Sequence, residues 1–218
     1  MTYYDGTKLL SLKDINGQDP EIYICTANRT AGKTTYFARL MVNRFRDKKE
    51  KFCLIYRYMN ELADVKEKFF KDIQALFFQD SVMTSRSCGR GAFIELSIDE
   101  KVCGYAVALN AADKLKKYSH MFSDVKRMMF DEFQSESGRY CDKEIEKFIS
   151  LHTSIARGRG EQVRRGPVYM VGNPVTILNP YYLELGITER LRADTKFLRG
   201  PGYVLEQGFV DSAADAQK

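Results

Sequence analysis

The stretch Tyr23–Thr35, YICTANRTAGKTT, decides the fold. An apolar, β-like run (Ile22, Tyr23, Ile24, Cys25) passes into a turn-forming segment, then Gly32-Lys33-Thr34, then a helix-like stretch. Strand, loop and helix in that order are the context of a phosphate-binding P-loop, where backbone N–H groups of the loop and of the helix N-terminus face an anion. Ala27, Asn28, Arg29, Thr30, Ala31, Gly32, Lys33, Thr34 and Thr35 would line that cradle. Lys33 is expected to reach the β- and γ-phosphates of ATP, and the Thr34 hydroxyl to ligate Mg2+. The usual pattern opens with glycine; this one opens with Ala27.

Downstream, Thr34–Arg46 carries Phe37, Leu40, Met41, Val42 and Phe45 at near-helical spacing, with the cations of Lys48–Lys51 closing it. Phe52–Tyr56 reads as a buried strand, and 60–78 as one long amphipathic helix with Asn60 as N-cap and Leu62, Val65, Phe69, Ile73 and Phe77 on its apolar stripe. Residues 81–90 are turn-like. The runs 92–98 and 103–109 flank Asp99-Glu100-Lys101 and read as a β-hairpin inserted between core units. A strand over 127–133, a helix over 143–156 (Ile145, Phe148, Ile149 and Ile155 inward), a Gly/Arg loop over 157–166 and a strand over 168–171 follow. A short helix over 180–186 and a strand pair around Phe197 and 203–205 complete the pattern. Alternating strand and helix predicts an α/β fold with a mostly parallel central sheet covered by helices on both faces.

The domain division expected is a polar arm or cap over 1–20, a P-loop domain over 21–206, and a tail or linker over 207–218 leading toward a further C-terminal domain. A net charge of +5 and a pI near 8.8 permit a polyanionic partner without demanding one. Five widely spaced cysteines, none at zinc-ligand spacing, read as reduced thiols in a reducing compartment. The first residues lack a continuous apolar run and no stretch approaches the length of a membrane span, so a cytosolic protein with no membrane partner is expected.

The second informative segment is Phe130-Asp131-Glu132, after Met128-Met129. Acids at the carboxyl end of a core strand lie where open α/β sheets bind ligands. Asp131 there can hold Mg2+ through water, complementing Thr34, and Glu132 can polarise the water that attacks the γ-phosphate. The same two acids can also simply end a strand, and the P-loop upstream is what favours catalysis. This is the layout of P-loop NTPases of the additional-strand, catalytic-glutamate (ASCE) type.

Other polar residues admit two readings each. Arg29 adds charge near the phosphates or stays solvated. Arg157 and Arg159 reach a neighbouring subunit's site as an arginine finger, or form a solvated loop or a nucleic-acid contact. Asn173 hydrogen-bonds the γ-phosphate or the attacking water, or forms the turn before Pro174. Lys114, Lys116, Lys117, Arg164 and Arg165 line a DNA path or a solvated face; His120 and His152 have no metal-like or triad-like partners.

From about residue 20 to residue 186 the chain resembles the ATPase domain of the genome-packaging motor of small short-tailed bacteriophages with protein-primed DNA, a branch of the terminase-like ring ATPases. The segments that carry the resemblance are ANRTAGKTT (27–35), YRYMNELADV (56–65), MMFDEF (128–133), IARGRGE (155–161) and VGNPVTILNPYYLEL (171–185). It implies Lys33 and Thr34 as the nucleotide and Mg2+ residues, and Asp131 and Glu132 as the metal-associated and catalytic acids. It further implies Arg157 as the trans-acting finger with Arg159 as its alternative, and Asn173 as the sensor. Two departures stand out. Ala27 needs a negative φ to replace glycine, and Met59 stands where a close relative would carry lysine.

The expected function is ATP-driven translocation of double-stranded DNA into a viral prohead. ATP would be hydrolysed at the interfaces of a homopentameric ring, acting in the host cytoplasm and transiently at the prohead portal vertex. The portal and a packaging RNA are further partners the resemblance implies. A ring helicase or secretion-type ATPase, or a P-loop kinase using 80–109 as an acceptor lid, are the alternative readings of the bare motif.

Overall fold

The computed structural model describes residues 4–65, 69–156 and 165–208. Its strands are β1 (Ile22–Thr26), β2 (Lys51–Tyr56), β3 (Met83–Cys88), β4 (Phe93–Ile98), β5 (Lys101–Ala108), β6 (Val125–Asp131), β7 (Val168–Gly172), β8 (Phe197–Gly200) and β9 (Tyr203–Gln207). The α-helices are α1 (Thr7–Ser11), α2 (Lys33–Lys48), α3 (Lys71–Phe77), α4 (Ala112–Leu115), α5 (Glu144–Ala156) and α6 (Pro180–Glu184). Among the described residues no helix is long and apolar enough to cross a membrane. Two compact units result: Met1–Phe37 with Phe130–Arg139 and Pro167–Lys218, and Ala38–Met129 with Tyr140–Gly166.

In the first unit β1 runs parallel to both β7 and β9, with Cys25 opposite Val171 and Glu206, and β8 pairs antiparallel with β9. All five β7 residues are buried, as expected of a parallel strand covered on both faces. The Phe37 ring from the start of α2 stacks on Tyr169 of β7 at 4.9 Å, so the helix that follows the phosphate loop is seated on the sheet. The carboxylate of Asp14 accepts N–H bonds from Asn16, Gln18 and Gly202, tying the turn after α1 to the β8–β9 turn. Those bonds hold its carboxyl below the usual range.

In the second unit β2 lies between β5 and β6, parallel to β5, while β4 and then β3 extend the sheet antiparallel. Gly104 makes the β2–β5 approach possible, because a Cβ there would lie 2.3 Å from the Phe52 carbonyl oxygen. The fold is α/β, with parallel pairing inside each unit and antiparallel strands at its edge.

Several local expectations change. The β4–β5 hairpin is present and is built into the sheet, β5 being a parallel neighbour of β2, but the segment read as turn-like, 81–90, contains a third antiparallel strand, β3. Asp99 and Glu100, both at positive φ, make the two-residue turn between β4 and β5.

The first turn of the span 60–78, Met59–Asp64, is 3-10 rather than α, and α3 covers Lys71–Phe77, with 66–68 outside the described residues. Asn60 does not cap it. The Glu61 carboxylate accepts from the N–H groups of Arg57 and Tyr58, and Asn110 Oδ1 accepts from that of Met59. These bonds tie the start of the 3-10 turn to the residues just after β2 and to Asn110.

Phe77, placed on the inner stripe, is exposed and carries the Arg39 guanidinium over its ring at 4.3 Å. On α5 the inward positions are Phe148, Leu151 and Ile155, whereas Ile149 is exposed. Beneath that helix Arg57 Nε donates to both carboxylate oxygens of Glu144, at 3.1 and 3.0 Å, in a buried ion pair.

Candidate active site

The phosphate loop leaves β1 at Thr26 and enters α2 at Lys33, whose first turn is closed by Tyr36 N–H donating to the Gly32 carbonyl. Gly32 has φ +84°, a conformation that suits glycine. Thr30 holds φ +60° without that licence, at a cost of about 1 kcal/mol. Ala27 is absent from the left-handed region, so its methyl is tolerated where glycine is usual, and it packs with Ala31 in a small buried cluster. The loop is gripped from both sides. Tyr4 N–H donates to the Ala31 carbonyl at 2.8 Å and Gly208 N–H to the Thr26 carbonyl at 2.7 Å.

Lys33 is buried, and its Nζ donates to the carbonyls of Ala27 and Asn28 at 2.8 and 2.9 Å and to Asn173 Oδ1 at 3.2 Å. Burial lowers its pKa, against the pull of Cys25 and Asp131. The ammonium therefore waits inside the loop on weak, neutral acceptors that an anionic ligand can outbid.

Thr34 Oγ1 donates to Asp131 Oδ1 at 3.2 Å, which brings together two residues far apart in the chain. The strand read as running to Phe133 ends at Asp131, because Glu132 turns to φ +53°. That turn leaves Glu132 exposed, lets its N–H donate to Asp131 Oδ1 at 2.9 Å, and returns the chain so that Phe133 N–H reaches the Val171 carbonyl. Burial, and then the neighbouring Glu132 charge, push the Asp131 carboxyl up to about 6. A hydroxyl and a carboxylate side by side, with a second acid next in the chain, are hard oxygen donors suited to Mg2+. Among the described residues no group of three or more His, Cys, Asp or Glu side chains that could hold a metal ion occurs.

Two residues of this site escaped the sequence reading. Gln134 is buried, and its Oε1 accepts from the N–H groups of Val175 and Thr176, fixing the loop after β7 to the segment after β6. Glu136 accepts from Asn173 Nδ2 at 2.8 Å and from Arg29, through Nε at 3.3 Å and through Nη2. The only signal was a polar run, 134–139, directly behind the acid pair.

Arg29 is thus ion-paired yet largely exposed. Arg157, Arg159 and Arg164 lie outside the described residues. Lys114, Lys116, Lys117 and Arg165 are exposed, with Lys116 paired to Asp113. His152 lies against Phe148, its Nε2 2.8 Å from the Gly166 carbonyl oxygen, in an ordinary packing role.

A family model described as podovirus DNA encapsidation protein (Gp16) matches residues 1–194. No curated protein matches the chain in sequence. Among solved structures, the N-terminal domain of the DNA packaging ATPase from bacteriophage phi29 is similar with a TM-score of 0.76 and 24% identity, over 95% of this chain and 97% of that one. A chain of the bacteriophage phi29 genome packaging motor assembly aligns over 95% of this chain at 24% identity and a TM-score of 0.70; this chain spans 57% of its length. The large terminase ATPase domain of Thermus phage P74-26 shares the fold at a TM-score of 0.54 and 10% identity, over 100% of this chain and 89% of that one.

Proposed function

The chain belongs to the podovirus DNA encapsidation protein (Gp16) family, and from that premise we propose that it hydrolyses ATP to drive double-stranded DNA into a viral prohead. The observation that carries this reading is the meeting of Thr34 with Asp131, beside a lysine held in the loop by Ala27, Asn28 and Asn173. A glycine-containing loop after a strand, a hydroxyl–carboxylate pair and a second acid in one unit support that reading.

In this reading the N–H groups from Ala27 to Thr35 hold the phosphates, and Lys33 leaves its loop carbonyls for the β- and γ-oxygens. Thr34 and Asp131 would hold Mg2+, which would supply charge neutralisation at the phosphates. Glu132, exposed at the strand end, takes the proton of the attacking water, and Asn173 orients that water or the γ-phosphate. Arg157, with Arg159 as the alternative, comes from a neighbouring subunit to stabilise the charge that develops.

The working form is a homopentameric ring around duplex DNA, gripping phosphates without reading sequence. It acts in the host cell at the prohead portal, with a packaging RNA as a further partner.

The test is ATP turnover by the full chain with and without duplex DNA, and by mixed variants. Turnover is expected to rise with DNA of any sequence and to lose that response as salt is raised. Glu132→Gln and Arg157→Ala, each inactive alone, are expected to recover part of the activity when mixed, because one interface then has both residues. Indifference to DNA would contradict the motor, and full activity of Arg157→Ala together with Arg159→Ala would remove the trans-acting arginine.

A further inference from the structure

Glu136 has none of the roles above, yet it sits in the middle of the ligand-free site. Its Oε1 accepts from Asn173 Nδ2 at 2.8 Å and from Arg29 Nε at 3.3 Å, while Oε2 pairs with Arg29 Nη2. The other end of the Asn173 amide, Oδ1, accepts from Lys33 Nζ. Only this amide orientation turns its NH2 toward a carboxylate and its oxygen toward an ammonium. One carboxylate is therefore tied to Arg29 and Asn173 directly, and to Lys33 through Asn173. A terminal phosphate oxygen would ask for the same donors, since a guanidinium fork and an amide N–H serve carboxylate and phosphate alike.

We propose that Glu136 is a specificity-determining residue for the length of the phosphate chain: without nucleotide it occupies Arg29 and Asn173 in place of a terminal phosphate, and a triphosphate must displace it whereas a diphosphate need not. The proposal rests on reading this unit as an ATP site. The two hydrogen-bonding partners hold the Glu136 carboxyl below the usual range, so the competitor is fully charged at neutral pH. Once the terminal phosphate has left, Arg29 and Asn173 return to Glu136, which opposes rebinding of that phosphate.

The measurement is equilibrium binding of a non-hydrolysable ATP analogue and of ADP, each with Mg2+, to the full chain. Glu136→Gln is expected to bind the analogue about three- to tenfold more tightly, the loss of one exposed ion pair and one amide bond as competitors. ADP affinity is expected to stay within about twofold, and Glu136→Asp, which keeps the charge, to remain closer to wild type than Glu136→Gln does. An unchanged or weakened analogue affinity, or an equal gain for ADP, would overturn the proposal. Wild-type protein that binds neither nucleotide would overturn the reading of the site, and this inference with it.

Discussion

Replacing Glu132 by Gln is expected to cut ATP turnover by about a hundred- to ten-thousand-fold, the usual worth of a positioned general base, while leaving ATP binding in place. Glutamine keeps the size of the side chain and its hydrogen-bonding reach but cannot take a proton from water. Binding is expected to survive because, in the proposed reading, the loop N–H groups and Lys33 hold the phosphates. The substitution also removes the like charge that helps to raise the Asp131 carboxyl to about 6. Phosphate release and analogue binding measured on the same preparation separate the two effects. Turnover at the wild-type rate would show that Glu132 is no more than the turn residue after β6.

The second large effect concerns stability. Glu144→Ala is expected to destabilise the second unit by about 3–5 kcal/mol, the range for breaking one side of a buried ion pair. Glu144 accepts from Arg57 Nε with both oxygens and from Cys141 N–H at 2.7 Å, and both members of the pair are buried. Removing it takes both acceptor oxygens from a buried guanidinium that also lies over the Tyr140 ring. The double change Arg57→Met with Glu144→Leu is expected to recover most of the loss, because an apolar pair of similar volume avoids the desolvation of two charges. Denaturant unfolding of the three variants measures this. Equal stability of Glu144→Ala and wild type would mean that the pair is worth no more than a surface contact.

How far the sequence reveals this molecule depends on where each signal originates. Residues 22–35 were legible because strand, loop and helix carry their own local chemistry there: an apolar run, a turn, and Gly-Lys-Thr. Asp131 was legible only because a P-loop stands upstream, since an apolar run ending in Asp-Glu is common by itself. Glu136 and Gln134 were not, since their partners Arg29, Asn173, Val175 and Thr176 are reached only after the chain turns back at Glu132. β3 was hidden because an edge strand reading Met-Thr-Ser-Arg-Ser-Cys buries only its first residue and shows no alternation of apolar side chains. The apolar stripe over 60–78 was real in Leu62, Val65, Phe69 and Ile73. Its first turn is nevertheless 3-10, with Glu61 and Asn110 accepting from backbone N–H groups at its start.

The phosphate loop remains the centre of the account, and Lys33→Ala tests it most directly. Phosphate release from Mg-ATP is measured for wild type and variant side by side, with duplex DNA present. Wild-type protein is expected to turn over and Lys33→Ala to fall by at least about a hundredfold, the scale of losing one preorganised donor to a transition-state oxygen. Equal turnover by the two proteins would contradict the assignment of this loop as the site of ATP hydrolysis.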